Sequence, residues 1–167
     1  PLFAADIGIA PGDKPFRDNE GFGFSATANA ALGFGTLTYI GAFEHIDRRE
    51  YNDFDGLTEG YADVFFVSDA DVQTHELRLR SNDEGPFQWI VGAYYSTEDL
   101  AESYNSGFAA SFGPGFETVR TPYNQEVETL SFFGQAEYKL TTDLNAVFGL
   151  RWEEEKRDLF NLGTFIE

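Results

Sequence analysis

The segment LSFFGQAEYKL at residues 130–140 alternates with a period of two. Leu130, Phe132, Gly134, Ala136, Tyr138 and Leu140 fall on one side of an extended chain, and Ser131, Phe133, Gln135, Glu137 and Lys139 on the other. Successive strand side chains point to opposite faces, so this is one apolar surface and one mostly polar surface, with Phe133 the exception. A helix would scatter the same groups around its circumference. At ~3.3 Å per residue the segment makes about 33 Å of ribbon, or roughly 23 Å of height at ~45° tilt, close to the ~25 Å apolar band of a membrane-spanning barrel strand.

The pattern recurs along the chain. Leu144, Ala146, Phe148, Leu150 and Trp152 stand opposite Asn145, Val147, Gly149, Arg151 and Glu153, and only Thr141, Thr142 and Asp143 separate this run from the preceding one. Runs joined so closely pair as an antiparallel hairpin, because a parallel pair needs a long crossover. Residues 73–81 set Leu77 and Leu79 against Glu76, Arg78 and Arg80, then turn through residues 82–86 into FQWIVGAYYS, where Phe87, Trp89, Val91, Ala93 and Tyr95 form the apolar side. A weaker hairpin links residues 22–31 to 36–46 through Leu32, Gly33, Phe34 and Gly35, with Leu37, Tyr39 and Phe43 as its apolar candidates. The expected fold is therefore all-β, with antiparallel up-and-down strands in hairpins forming part of a transmembrane β-barrel wall. About six strands are expected, near residues 22–31, 36–47, 72–81, 87–98, 127–140 and 144–157, with long polar loops at 1–20, 48–71 and 100–125.

Composition fits this reading and excludes several others. Eighteen Phe, eight Tyr, two Trp and seventeen Gly with no Met favour strands and tight turns. A formal charge of −18 disfavours nucleic acid, whose binding depends on Lys and Arg displacing counterions from phosphates. The absence of Cys removes disulfide frameworks, thiolate metal sites and a Cys nucleophile, without naming a compartment. No apolar run reaches the ~18 residues of a membrane helix, but a barrel strand hides its membrane signal in alternate positions. Opening on Pro1 with no basic-then-apolar leader, the chain is expected to be processed or truncated.

Several polar clusters carry groups that could form a site. Asp53, Asp55, Glu59 and Asp63 in YNDFDGLTEGYAD are oxygen donors of the kind calcium prefers, although their spacing is not that of an EF-hand loop and a solvated acidic loop is the favoured reading of them. His45 beside Glu44 and His75 beside Glu76 do not converge locally, because neighbouring strand residues face opposite ways. No phosphate-cradling loop or Ser-His-Asp motif is present, so no catalytic residue and no required cofactor is expected. The segment SYNSGFAASFGPGFETVRTPYNQ carries Tyr104, Phe112, Arg120 and Tyr123, aromatic and cationic groups suited to stacking on a ligand and pairing with its anionic groups, a composition that ordinary loop packing fits equally well.

Three phrases resemble TonB-dependent receptors: TLTYIGAFEHIDRREYNDFDG at 36–56, HELRLRSNDEGPFQWIVGAYY at 75–95 and SFFGQAEYKLTTDLNAVFGLRWEEEKRD at 131–158. The carrying features are the E-L-R-L-x-S strand before a short turn and the F-G-Q strand before G-L-R-W. That resemblance implies a Gram-negative outer-membrane location with extracellular loops, and import of a scarce ligand such as a siderophore, cobalamin or glycan. It further implies an N-terminal plug, a barrel of ~22 strands and energy delivered by the TonB complex. About six strands cannot make that barrel, so the chain is expected to be a fragment. Its expected partners are outer-membrane lipid, the remaining barrel and plug, TonB through other regions, and an unknown small ligand. A rival reading is a non-transporting β-rich binding or self-assembling extracellular protein, whose free strand edges pair between copies.

Overall fold

The structure, a computed structural model, describes residues 14–54, 56, 62–82, 85–107 and 119–166. Six long strands follow one another: β1 (Phe16–Leu32), β2 (Gly35–Asp53), β3 (Asp63–Ser81), β4 (Phe87–Ser106), β5 (Val119–Lys139) and β6 (Asn145–Phe160), with a short β7 (Phe165–Ile166). Each long strand pairs antiparallel with the next in sequence order, giving an up-and-down meander that is not closed on itself. Among the described residues no helix is long and apolar enough to cross a membrane, which does not bear on crossing by strands.

The hairpins close through tight connections. β1 passes to β2 through Gly33 and Phe34, which are also reached from β3: Asn82 donates through Nδ2 to the Gly33 carbonyl at 3.0 Å and through its backbone N–H to the Phe34 carbonyl at 3.3 Å. Between β5 and β6, the N–H groups of Leu140 and Thr141 both donate to the Leu144 carbonyl, at 2.9 and 3.1 Å. Leu140 and Leu144, expected at strand ends, therefore belong to the turn.

The register decides which side each residue faces. Leu37 pairs with Leu79, Leu79 with Val91, Val91 with Gly134 and Gly134 with Leu150, so the apolar sides of β2 to β6 fall on one continuous surface. Phe22 and Phe24 of β1 join it opposite His45 and Phe43. That surface carries large exposed apolar side chains, including Phe132 of β5 and Phe148, Leu150 and Trp152 of β6. An exposed apolar face of this extent marks an interaction surface. The other side carries Arg78 with Glu76, Arg151 with Glu153 and Arg157 with Glu155 as ion pairs between residues two apart on one strand.

The strands are longer than their alternation suggests. β2 begins near its expected start but runs to Asp53, β3 starts at Asp63, β4 continues to Ser106 and β5 begins at Val119. Much of what was expected as loop at 48–71 and 100–125, and the end of the expected loop at 1–20, is thus paired strand. At ~3.3 Å per residue these strands approach 60 Å, well beyond a ~25 Å apolar band, so their far ends project past it. There polar and apolar side chains mix on both faces, with Tyr51, Val64 and Phe65 buried among charged and amide groups, so alternation fades from the sequence while the backbone ladder continues regardless of side-chain polarity.

One break is visible. Pro122 on β5 has no N–H to give, and the adjoining chain leaves its regular path: Asn161 takes φ 55°, and Gly163 N–H donates to the Pro122 carbonyl at 3.3 Å. Pairing then resumes as β7 beside Val119 and Arg120.

Candidate ligand-contact face

On the polar side, beyond the apolar band, the register assembles two rows from residues far apart in sequence. Asn19, Arg48, Ser68, Glu102 and Tyr123 lie opposite one another across β1 to β5; beyond them lie Arg17, Glu50, Phe66, Tyr104 and Thr121. Alternation along each strand puts the side chains of both rows on the same face.

Glu50 is the electrostatic centre of the first group. Arg48 donates to Oε2 at 2.9 Å, Asn19 to Oε1 at 3.2 Å, and the Arg17 guanidinium reaches Oε1 at 2.9 Å. These donors satisfy the carboxylate although Glu50 is buried. The hydrogen bond from Arg48, then that from Asn19, hold its pKa down to about 2. The Arg48 guanidinium also sits 4.9 Å from the Phe66 ring centroid, a cation–π arrangement, and Phe66 meets Tyr104 edge-on at 5.4 Å.

Glu102 organises the second group. It accepts from the Ser68 hydroxyl at Oε2 and from the Tyr123 phenol at Oε1, each at 2.8 Å. The bond to Glu102, with burial second, pushes the Tyr123 phenol pKa up. Cation, carboxylate, phenol and aromatic ring are therefore held in fixed positions on one polar wall, which is suited to non-covalent contact with a polar or aromatic ligand.

Two of the four expected ligand residues, Tyr104 and Tyr123, stand in these rows. Arg120 faces the other way, opposite Asn105 on the apolar side of the sheet, because its parity along β5 differs from that of Tyr123. Phe112 lies outside the described residues. Arg17, Arg48, Glu50, Phe66 and Glu102 carry no motif that marks them in the sequence, because only cross-strand pairing brings them together.

Of the expected calcium ligands, Asp55 and Glu59 lie outside the described residues. Asp53 and Asp63 stand directly opposite one another; Asp53 Oδ1 accepts the Gly56 N–H at 2.6 Å and Asp63 Oδ2 the Tyr51 hydroxyl at 2.7 Å. A different set converges on the apolar side just past the band: His45, Asp69 and Asp71 bring ligand-type atoms within 4.8 Å of one another, with His45 Nδ1 2.9 Å from Asp71 Oδ1. His45 thus meets acids of β3, while its neighbour Glu44 points away, as the alternation requires.

Comparison with known proteins places this wall. The crystal structure of the ferric yersiniabactin uptake receptor FyuA from Yersinia pestis superposes with a TM-score of 0.71 at 15% identity, over 92% of this chain. The chain spans 24% of the length of that receptor, so its sheet of six long strands and the short β7 corresponds to a section of a larger barrel. No curated protein matches the sequence. The family model described as TonB dependent receptor-like, beta-barrel, matches residues 4–165, and the chain belongs to that family of outer-membrane receptor barrels.

Proposed function

We propose that this chain forms a section of the barrel wall, with outside loops, of a TonB-dependent receptor that takes up a scarce small ligand across the Gram-negative outer membrane. The observation that supports it most is the two-sidedness of one continuous sheet, apolar from β1 to β6 on one face and charged on the other. Such a sheet suits a barrel whose outside meets lipid and whose inside meets water or a plug. In this reading the short turns face the periplasm, and the rows around Glu50 and Glu102 line the interior toward the outside. A plug and the TonB complex supply gating and energy through other regions. Siderophore, cobalamin and glycan all remain in the ligand class, since stacking rings and paired Arg and Glu accommodate each. The wall performs no covalent chemistry, in keeping with a family of receptors rather than enzymes.

The test uses the absence of native Cys in this chain. Single Cys residues introduced at Phe148 and at Val147, in the intact receptor on a background without other accessible Cys, should label in opposite ways. Position 148 should react with a membrane-soluble maleimide and position 147 with a water-soluble one. Equal reaction of both with the water-soluble reagent in native membranes would rule out the lipid-facing wall. Ligand uptake that persists in cells lacking TonB or a proton-motive force would rule out the transport mechanism.

A further inference from the structure

The apolar side of β4, β5 and β6 is not uniformly covered. Along β5, Gly134 and Ala136 leave a low floor; Trp89 and Val91 stand on the β4 side of it, and Phe148 and Leu150 on the β6 side. Phe132 stacks on Trp152 with ring centroids 6.0 Å apart and planes 22° from parallel, closing the end away from the short turn. The resulting groove has a volume of about 450 Å³.

The chemistry of its walls narrows the occupant. The side chains that rise around the floor are hydrocarbon and aromatic, and no charged side chain lines the groove. A peptide segment seated there would bring amide groups to a surface without side-chain partners for them, a cost of several kcal/mol per group in a nonpolar medium. A hydrocarbon chain has no such groups, and it restores the dispersion contacts that an unfilled groove forgoes. The groove is also continuous with the apolar surface by which this family's barrels meet the bilayer, so acyl chains are the molecules that surround it.

From this geometry we infer that the groove over Gly134 is a seat for one acyl chain of an outer-membrane lipid, lying along β5 and stopped by the Phe132–Trp152 stack. The seat orders that chain against the wall. It rests on the reading of this face as the outer surface of the barrel, and not on the identity of the imported ligand.

A substitution that fills the groove without disturbing the sheet is available. A Cβ on Gly134 would meet Val91 Cγ1 at 3.5 Å and the Ile90 carbonyl at 3.7 Å, both ordinary contacts, so Gly134→Leu can project into the groove from an unaltered backbone. The experiment reconstitutes the intact receptor with a phospholipid carrying a photoactivatable diazirine in its acyl chain, and maps labelled peptides by mass spectrometry. The wild-type protein should label strongly in the peptides around Gly134 and Leu150. Gly134→Leu should lower that labelling roughly tenfold, the equivalent of losing burial of about two methylenes, while labelling around Leu37 and Leu79 stays unchanged. Equal labelling around Gly134 in wild type and variant would overturn the seat. Loss of labelling at both places would mean the variant has not inserted, and Gly134→Ala, which adds a single methyl, then serves with the same readout: an intermediate, local loss supports the seat and no local loss overturns it. Failure of the reading of the face itself gives a different result, absence of acyl labelling from the whole apolar surface in the wild-type protein.

Discussion

Phe133 and Gly92 face each other directly across the β4–β5 ladder, and the phenyl ring lies where a Cβ on Gly92 would have to be. Phe133 is the apolar residue that breaks the polar side of its strand, and Gly92 is the position that accommodates it: the ring covers backbone that would otherwise be bare. Such a cover compensates for the packing a strand loses at a glycine.

Gly92→Ala should therefore destabilise the barrel by about 1–3 kcal/mol, the usual range for overpacking. The added methyl also stands 2.8 Å from the Leu77 carbonyl. Pairing Gly92→Ala with Phe133→Ala should accordingly recover only part of the loss. Denaturant unfolding of the two single variants and the double variant measures this coupling; strict additivity would show that the ring does not constrain Gly92.

Leu150 and Val147 test the sidedness by charge. Leu150→Arg places a cation on the lipid side within the apolar band and should cost about 2–4 kcal/mol, whereas Val147→Arg on the polar side should cost far less. Equilibrium unfolding from lipid vesicles provides the comparison, and equal costs would contradict the assigned faces.

Glu50 gives a pH dependence with a definite sign. Its folded-state pKa is depressed from an ordinary 4.5 to about 2 by the hydrogen bonds from Arg48 and Asn19. Its contribution is fully present above about pH 4.5 and is lost as the pH falls toward about 2, because protonation removes the charge that those donors hold. Glu50→Gln should flatten that part of the acid limb when unfolding midpoints are followed between those values. An unchanged acid limb would show that the carboxylate is not held this way.

Asn161 tests the break opposite Pro122. With φ at 55°, a branched side chain there is strained, while glycine is not. Asn161→Val should loosen the β5–β7 pairing, read as faster amide exchange at Phe165 and Ile166, and Asn161→Gly should leave that exchange close to the wild-type rate. Equal exchange in both variants would show that the backbone turn does not hold β7.

Much of the wall was legible in the sequence because alternation is a property of a single strand. Leu130 to Tyr138 and Ala146 to Trp152 announce one lipid-type face without reference to any neighbour, and Gly33–Phe34 and residues 141–143 announce turns. Arg17, Arg48 and Glu50 carry no such signal: they are ordinary charged residues until the β1–β2 register brings Arg17 opposite Glu50.

The sequence by itself determined the period, the hairpins and the two-faced character of each strand, since these follow from local backbone geometry and nearest-neighbour turns. Only the tertiary structure decided how far the strands extend past the apolar band, that Arg120 parts company with Tyr123, and that His45 meets Asp69 and Asp71 rather than Glu44. The physical reason is that register is fixed by hydrogen bonds between segments distant in sequence, and a shift of one residue would send every side chain of a strand to the other face.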